Sequence, residues 1–290
     1  GHGIFAMPGG CNIGPRRIDF HIRGLERLGA TVEIDHGYIR VDSPGGLRGA
    51  TVPLEYPSVG ATENLMMAAV RAEGETTIDN SAREPEIVDL SKFLISMGAD
   101  IEGAGTSTIK VRGVSELHGA EHTVIGDRIE AGTYLVAGAI TGGEVEVEGI
   151  SPRVLDIFLS KLRSIGVHVQ ENSRSIKASG DVGQYVGTDI ATLPYPGFAT
   201  DLQAQTMALL SVAQGPSIVT ENVFESRFVF VDELIRLGAH IKVTGHHAVV
   251  NGGHPLTGAI VRCSDLRAGA ALVLSGLAAE GTTEVRGVFR

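Results

Sequence analysis

The chain has 290 residues, 43% hydrophobic and 20% charged, a balance that suits a folded globular protein and excludes a disordered one. Its 34 acidic residues against 24 basic ones give a formal charge of −10, which speaks against broad binding of nucleic acid or anionic lipid; an anionic ligand would have to be held by a few focused arginines. No apolar run approaches the roughly 18 residues of a membrane span, so no membrane insertion is expected. The two cysteines, Cys11 and Cys263, make no disulfide framework, and the expected setting is a reducing cytoplasm.

The first distinctive stretch is PGGCNIG, Pro8 to Gly14, which sets Cys11 among glycines and leads into PRRIDFHIRGLERLGA. The second part reads as an amphipathic helix that ends on Gly29, followed by an alternating strand and, after a short turn, by YIRV. That pattern returns down the chain. GLERLGATVEI (24–34), FLISMGADIEG (93–103), KLRSIGVHVQE (161–171) and ELIRLGAHIKV (233–243) are four copies, with Gly29, Gly98, Gly166 and Gly238 spaced 69, 68 and 72 residues apart. Each copy is followed by a second strand: YIRV, TIKVRG, SIKASG and HAVVNG. The adjacent His246 and His247, where the last of these begins, are most simply a turn.

A second helix alternates with the first. It is rich in small apolar residues, is ended by Gly, and occurs in ENLMMAAVRAEG, AGTYLVAGAITGG, DLQAQTMALLSVAQG and AGAALVLSGLAAEG. Apolar on most of their circumference, these helices are expected to be buried beneath sheets. The unit is therefore strand, helix, strand, helix and two further strands, a repeated βαβαββ module of roughly seventy residues, packed with helices inside and strands outside. The competing reading is a doubly wound sheet with coincidental spacing. A change of domain is expected near VIGDRIEAGTY, where an apolar strand gives way to a charged turn, dividing the chain into 1–124 and 125–290. With no initiator Met and an end just after an expected strand, the chain reads as an internal piece of a longer protein.

Few residues stand out as chemistry. Cys11 has Arg16 and Arg17 nearby, and cations favour thiolate and collect anions; it is either a nucleophile or acid on a mobile lid or a surface thiol in a loose loop. Arg16 and Arg17 open a helix, where basic charge is unfavourable unless an anion binds, or else they sit in a solvated turn. Asp19 and His21 in the same turn either bind a polar ligand or face water. Asp201, in TDLQAQ, stands at the mouth of a buried helix, where capping is the plain explanation. SDLRAGAAL repeats that arrangement with Asp265 and Arg267, and VFESRF adds Arg227. Cys263 is expected to be a small core residue. Metal-ligand spacing, a Ser–His–Asp order, a phosphate loop and a GxGxxG are all missing from the sequence, and no cofactor is expected.

Taken in order, PGGCNIGPRRIDFH, YPSVGATENLM, SAREPEIVDL, FATDLQAQ, VFESRF and SDLRAGAALVLSGLAAEGTT resemble the landmarks of the enolpyruvyl transferase family, in the branch that acts on UDP-N-acetylglucosamine at the start of peptidoglycan precursor synthesis. The resemblance spans essentially the whole chain, and the cysteine loop separates this branch from its shikimate-pathway relative. It implies an inside-out α/β barrel pair, six repeats over two domains, of which this chain would carry two repeats or slightly more of the first and about two and a half of the second. It further implies that the 3′-hydroxyl of the sugar attacks the central carbon of phosphoenolpyruvate and that phosphate then leaves. Cys11 matches the proton donor to the methylene carbon and Asp201 the candidate general base. Arg16, Arg227, Asp265 and Arg267 match the phosphate and phosphoenolpyruvate contacts, and Arg17, Ile18, Asp19, Phe20, His21, Tyr56, Pro57, Ser58, Val59, Gly60 and Val223 the nucleotide-sugar contacts. The partners implied are these two small molecules and no nucleic acid; the oligomeric state is left open, and sensitivity to the epoxide fosfomycin is common in the family. The family also uses a Lys–Asn pair, an upstream Arg and a downstream Arg that match no position here, so this piece alone is expected to be inactive. The alternatives are a shikimate-type transferase, which has no use for PGGC, and a non-catalytic UDP-sugar-binding paralogue, which has no use for an acid or base. An RNA 3′-phosphate cyclase is disfavoured by the acidic balance.

Overall fold

A computed structural model describes residues 1–10, 13–14 and 18–288. These separate into two compact units, one taking in 1–10 and 18–125, the other 13–14 and 126–288. In the first unit β1 (His2–Ala6), α1 (Asp19–Arg27), β2 (Thr31–Asp35) and β3 (Tyr38–Asp42) are followed by β4 (Thr51–Pro53), α2 (Val59–Ala69), β5 (Glu75–Asp79), α3 (Pro85–Ser96), β6 (Asp100–Glu102) and β7 (Thr108–Arg112). The last six elements are one complete βαβαββ repeat. Its sheet runs β4-β5-β7-β6, with β4 parallel to β5 and the other pairs antiparallel. The first four make the antiparallel sheet β1-β3-β2. This unit therefore holds one whole repeat and four elements of another, fewer than the two or more expected. The α1 pattern belongs to the later helix of a repeat, and a single strand precedes it.

The second unit begins with α4 (Arg128–Ile140), β8 (Glu144–Glu148), α5 (Asp156–Ile165), β9 (His168–Glu171) and β10 (Ser175–Ser179). A complete repeat follows: β11 (Ile190–Ala191), α6 (Gln203–Val212), β12 (Gly215–Thr220), α7 (Val231–Arg236), β13 (His240–Thr244) and β14 (His247–Gly252). Then come β15 (Ile260–Arg262), α8 (Leu266–Ala278) and β16 (Glu284–Arg286). The sheets β8-β10-β9, β11-β12-β14-β13 and β15-β16 are whole or partial versions of the order already seen in the first unit. The apolar strand expected near residue 125 is not formed: 113–127 holds neither helix nor strand, and Val124 and Ile125 are exposed.

Helices α4, α6 and α8 pack against one another at the centre of the second unit. Residues 203–211 of α6 are buried without a break, and polar members are bonded inside: Gln205 Nε2 donates to Thr133 Oγ1 of α4 at 3.0 Å, and the Thr206 and Ser211 hydroxyls donate to carbonyls four residues back. Each fully buried Leu, such as Leu135, Leu209 and Leu272, contributes about 1.5–3 kcal/mol. The amphipathic helices α5 and α7, like α1 and α3 of the first unit, end as expected: Gly29, Gly98, Gly166 and Gly238 all take positive φ, between 91° and 108°. The inner helices end less uniformly. Only α4 runs directly into a left-handed glycine, Gly142, whereas α6 and α8 leave into extended backbone at Ala213 and Ala279. Of the His246–His247 pair expected in a turn, only His246 is in the β13–β14 turn and His247 opens β14; Cys263 is buried, its Sγ donating to the Asp265 carbonyl at 3.0 Å.

Candidate functional site

Cys11, Arg16 and Arg17 lie outside the described residues. The nearer half of the same loop is placed: Ile13 is buried and its carbonyl accepts from Ser226 N at 3.1 Å, next to Arg227. A Cβ on Gly14 would meet the amide nitrogens of Glu225 and Ser226, at 3.6 and 3.8 Å.

In the first unit the starts of α1 and α2 come together. Asp19 stands in the first turn of α1, where a carboxylate complements the helix dipole, and Arg23 reaches both Asp19 at 3.5 Å and Glu55 at 2.7 Å. His21 Nδ1 lies 3.2 Å from Asn64 Nδ2 of α2, and a Cβ on Gly60 would stand 3.5 Å from the His21 ring. Burial pushes the His21 pKa down and the Asp19 charge offsets this only in part, so the ring is neutral at pH 7. Ser58 is the N-cap of α2, its hydroxyl accepting from Ala61 N at 3.4 Å, and Tyr56, Pro57 and Val59 are half-buried beside it. Ile18 precedes α1 without a capping bond. Phe20 points elsewhere: its ring belongs to the core with Leu65 and Ile87, so any ligand contact there falls to its backbone.

In the second unit three charged side chains meet. Asp201 Oδ1 accepts from Arg227 Nη2 at 2.8 Å, and Asp201 Oδ2 accepts from Arg267 Nη2 at 2.8 Å. The capping expectation for Asp201 is corrected here. It sits in the short 3-10 turn Thr200–Leu202 ahead of α6, and both carboxylate oxygens are taken by arginines from 26 and 66 residues away. Asp265 is the residue that caps, its Oδ1 accepting from Arg267 N at 3.0 Å and Ala268 N at 3.1 Å. Asp265 therefore fixes the backbone of Arg267, and among the described residues its carboxylate pairs with no arginine side chain. Arg227 is 3% exposed and its guanidinium lies 5.4 Å from the centre of the Phe224 ring. Val223, half-buried, is in the same loop.

Burial pulls the Asp201 carboxyl up, but the charges and hydrogen bonds of Arg227 and Arg267 outweigh it and hold the pKa below 3.8. The side chain is still 36% exposed, so the cluster opens to solvent at the carboxylate while Arg227 is enclosed behind it. Two guanidiniums on one partly open carboxylate can exchange it for a more strongly charged anion. Among the described residues no group of His, Cys, Asp and Glu is arranged to hold a metal ion. Phe224 was not singled out in the sequence; an aromatic residue three positions before an arginine is too common to be a signal.

Comparison with known proteins adds a second line. The chain matches the family model described as EPSP synthase (3-phosphoshikimate 1-carboxyvinyltransferase) over residues 1–289. It is 54% identical over 289 residues to UDP-N-acetylglucosamine 1-carboxyvinyltransferase 1 of Caldanaerobacter subterraneus, covering 100% of this chain and 69% of that protein. The corresponding protein of Symbiobacterium thermophilum is 55% identical, with 98% of this chain and 64% of that protein covered. Among solved structures, the enolpyruvyl transferase NikO from Streptomyces tendae superposes with a TM-score of 0.87 at 25% identity, over 99% of this chain and 69% of that one. EPSP synthase from Acinetobacter baumannii shares the fold, with a TM-score of 0.67 at 19% identity over 98% of this chain and 69% of that one.

Proposed function

The chain belongs to the enolpyruvyl transferase family, and we propose that its protein transfers the enolpyruvyl group of phosphoenolpyruvate to the 3′-hydroxyl of UDP-N-acetylglucosamine, in the cytoplasm, as the first committed step towards peptidoglycan precursors. The observation that carries this reading beyond the name of the relatives is the Asp201 carboxylate clamped between Arg227 and Arg267. An addition–elimination on phosphoenolpyruvate needs a base for the attacking hydroxyl, cations for the phosphate and carboxylate, and a proton for the methylene carbon.

Asp201 takes the hydroxyl proton as the sugar oxygen bonds to the central carbon, and Cys11 delivers a proton to the methylene carbon. A methyl proton then returns to the Cys11 thiolate as phosphate leaves the tetrahedral intermediate with the proton that Asp201 took, which restores the vinyl group and both side chains. With both oxygens held by arginines Asp201 is a weak base. An arriving phosphate draws the guanidiniums to itself, which weakens the clamp, frees a carboxylate oxygen and raises its basicity. The substrate thus readies its own base. Asp19, His21 and the 56–60 segment, with Arg16 and Arg17, take the nucleotide sugar, and Asp265 keeps Arg267 in place through its backbone.

The test uses the intact protein. Phosphate release from phosphoenolpyruvate is expected with UDP-N-acetylglucosamine as acceptor and to be missing with shikimate 3-phosphate; the reverse preference would move the protein to the shikimate branch. Mass spectrometry after exposure to fosfomycin is expected to show a covalent increment on the peptide carrying Cys11, and Cys11→Ala to lose both increment and turnover. Turnover untouched in Cys11→Ala would favour a different proton donor.

A further inference from the structure

Behind the Asp201 clamp lies a carboxylate that the reaction above does not use. Glu221 follows β12 and is 3% exposed. Its Oε1 accepts from Thr192 Oγ1 at 2.8 Å, Val223 N at 2.8 Å and Phe224 N at 3.1 Å, and its Oε2 accepts from Thr200 Oγ1 at 3.0 Å. Oε1 is fully taken by three donors and Oε2 is held by Thr200, so this buried carboxylate is spent on the protein's own chain. The donors come from three segments. Thr192 follows β11 and is itself fixed by Asn222, whose backbone N donates to its Oγ1 at 2.9 Å and whose Nδ2 donates to its carbonyl at 3.0 Å. Thr200 opens the turn that carries Asp201, and Val223 and Phe224 form the loop on whose ring Arg227 rests.

We propose that Glu221 is a positioning residue that braces both ends of the Asp201–Arg227 pair, holding the Asp201 turn through Thr200 and the Arg227 platform through the amides of Val223 and Phe224. The amides of Val223 and Phe224 can only donate and need an acceptor here, whereas the hydroxyls of Thr192 and Thr200 can donate or accept. A glutamine at 221 can keep its oxygen on the two amides and turn its NH₂ to Thr200, whose hydroxyl then accepts. An alanine leaves all four donors without this partner, three of them in the turn and the loop that carry Asp201 and Arg227. The kinetic part of this inference rests on the enolpyruvyl transfer proposed above; the geometric part does not.

Three variants of the intact protein separate the arms. Thr200→Val cuts only the Asp201 arm at constant shape, Glu221→Ala cuts both, and Glu221→Gln preserves most of the brace. Titration of the Asp201 carboxyl carbon by NMR, assigned with Asp201→Asn, should show its pKa climbing towards 3.8 in Thr200→Val and Glu221→Ala and staying near wild type in Glu221→Gln. Turnover should drop on the order of tenfold in Thr200→Val, with KM for either substrate changed by less than about twofold, and recover in Glu221→Gln to within about threefold. A folded Thr200→Val with an unmoved Asp201 titration and normal kcat overturns the proposal, even if Glu221→Ala fails to fold. Should wild type transfer no enolpyruvyl group, the functional reading fails, and the titration alone still decides whether Glu221 braces the clamp.

Discussion

Asp201 and Asp265 stand just ahead of two inner helices of the same unit, and they act on different partners. Asp265 accepts two backbone amides of α8, while Asp201 leaves the start of α6 uncapped and accepts two guanidinium groups instead. The difference predicts unequal costs. Asp265→Ala removes a cap and should destabilise by about 1 kcal/mol. Asp201→Ala strands Arg227, 3% exposed, without its carboxylate, and breaking such a pair from one side costs about 3 kcal/mol. Urea unfolding of both variants checks the order; an Asp201→Ala no weaker than Asp265→Ala would mean that the arginines find other partners.

The same clamp gives a pH signature with a definite sign. The folded-state pKa of Asp201 lies below 3.8, so the unfolded chain binds its proton first as the pH falls. The stability this group contributes is therefore complete above that ordinary value and is lost as the pH drops through the folded value. Wild type and Asp201→Asn should differ most in unfolding free energy near neutrality and converge in acid. Parallel curves down to the lowest accessible pH would show that the carboxylate is not held as its two 2.8 Å contacts imply.

Much of the fold was legible because its signals are local. Gly29, Gly98, Gly166 and Gly238 announce helix ends through a backbone conformation that glycine adopts at little cost, and all four take it. The inner helices declared themselves by being apolar on most of their circumference. Asp201 was legible as a residue of interest and misleading as a cap, because local spacing shows which amides are in reach and says nothing about arginines 26 and 66 positions distant. Glu221 gave no sign at all: a single acidic residue after a strand looks like a solvated turn until Thr192 and Thr200 are folded against it. The strand expected near residue 125 failed for the converse reason, since apolar composition favours a strand only where a partner edge is available.

His21 offers a probe of the first unit. Burial lowers its pKa and the neighbouring Asp19 charge lifts it back in part. Asp19→Asn removes the lifting contribution and leaves the burial, so the His21 ring should titrate at a still lower pH than in wild type. Proton NMR of the ring resonances reads this directly. A rise in Asp19→Asn would show that Asp19 does not face the ring or that the ring becomes exposed, and either would remove the basis for grouping these residues at one site.

Tyr185 tests the helix-inside arrangement of the second unit. Its side chain is fully buried and its hydroxyl donates to the Ala139 carbonyl at 2.8 Å, closing the last turn of α4. Burial, with a smaller push from Asp181, raises its pKa from 10.0 to about 12. Tyr185→Phe keeps the ring and deletes the bond, leaving a buried carbonyl short of a donor at a cost of about 1 kcal/mol, whereas Tyr185→Ala also opens a cavity and should cost about 3–5 kcal/mol. The alkaline sign is the reverse of that for Asp201. The unfolded chain loses this phenolic proton near pH 10, before the folded one does, so the contribution of Tyr185 is complete below pH 10 and is lost as the pH rises towards about 12. Wild type and Tyr185→Phe should then converge in stability over that interval, and tyrosinate absorbance of Tyr185→Phe should lack the latest-titrating step. If that step survives the substitution, the late phenol is another tyrosine and Tyr185 is not the residue sealed against α4.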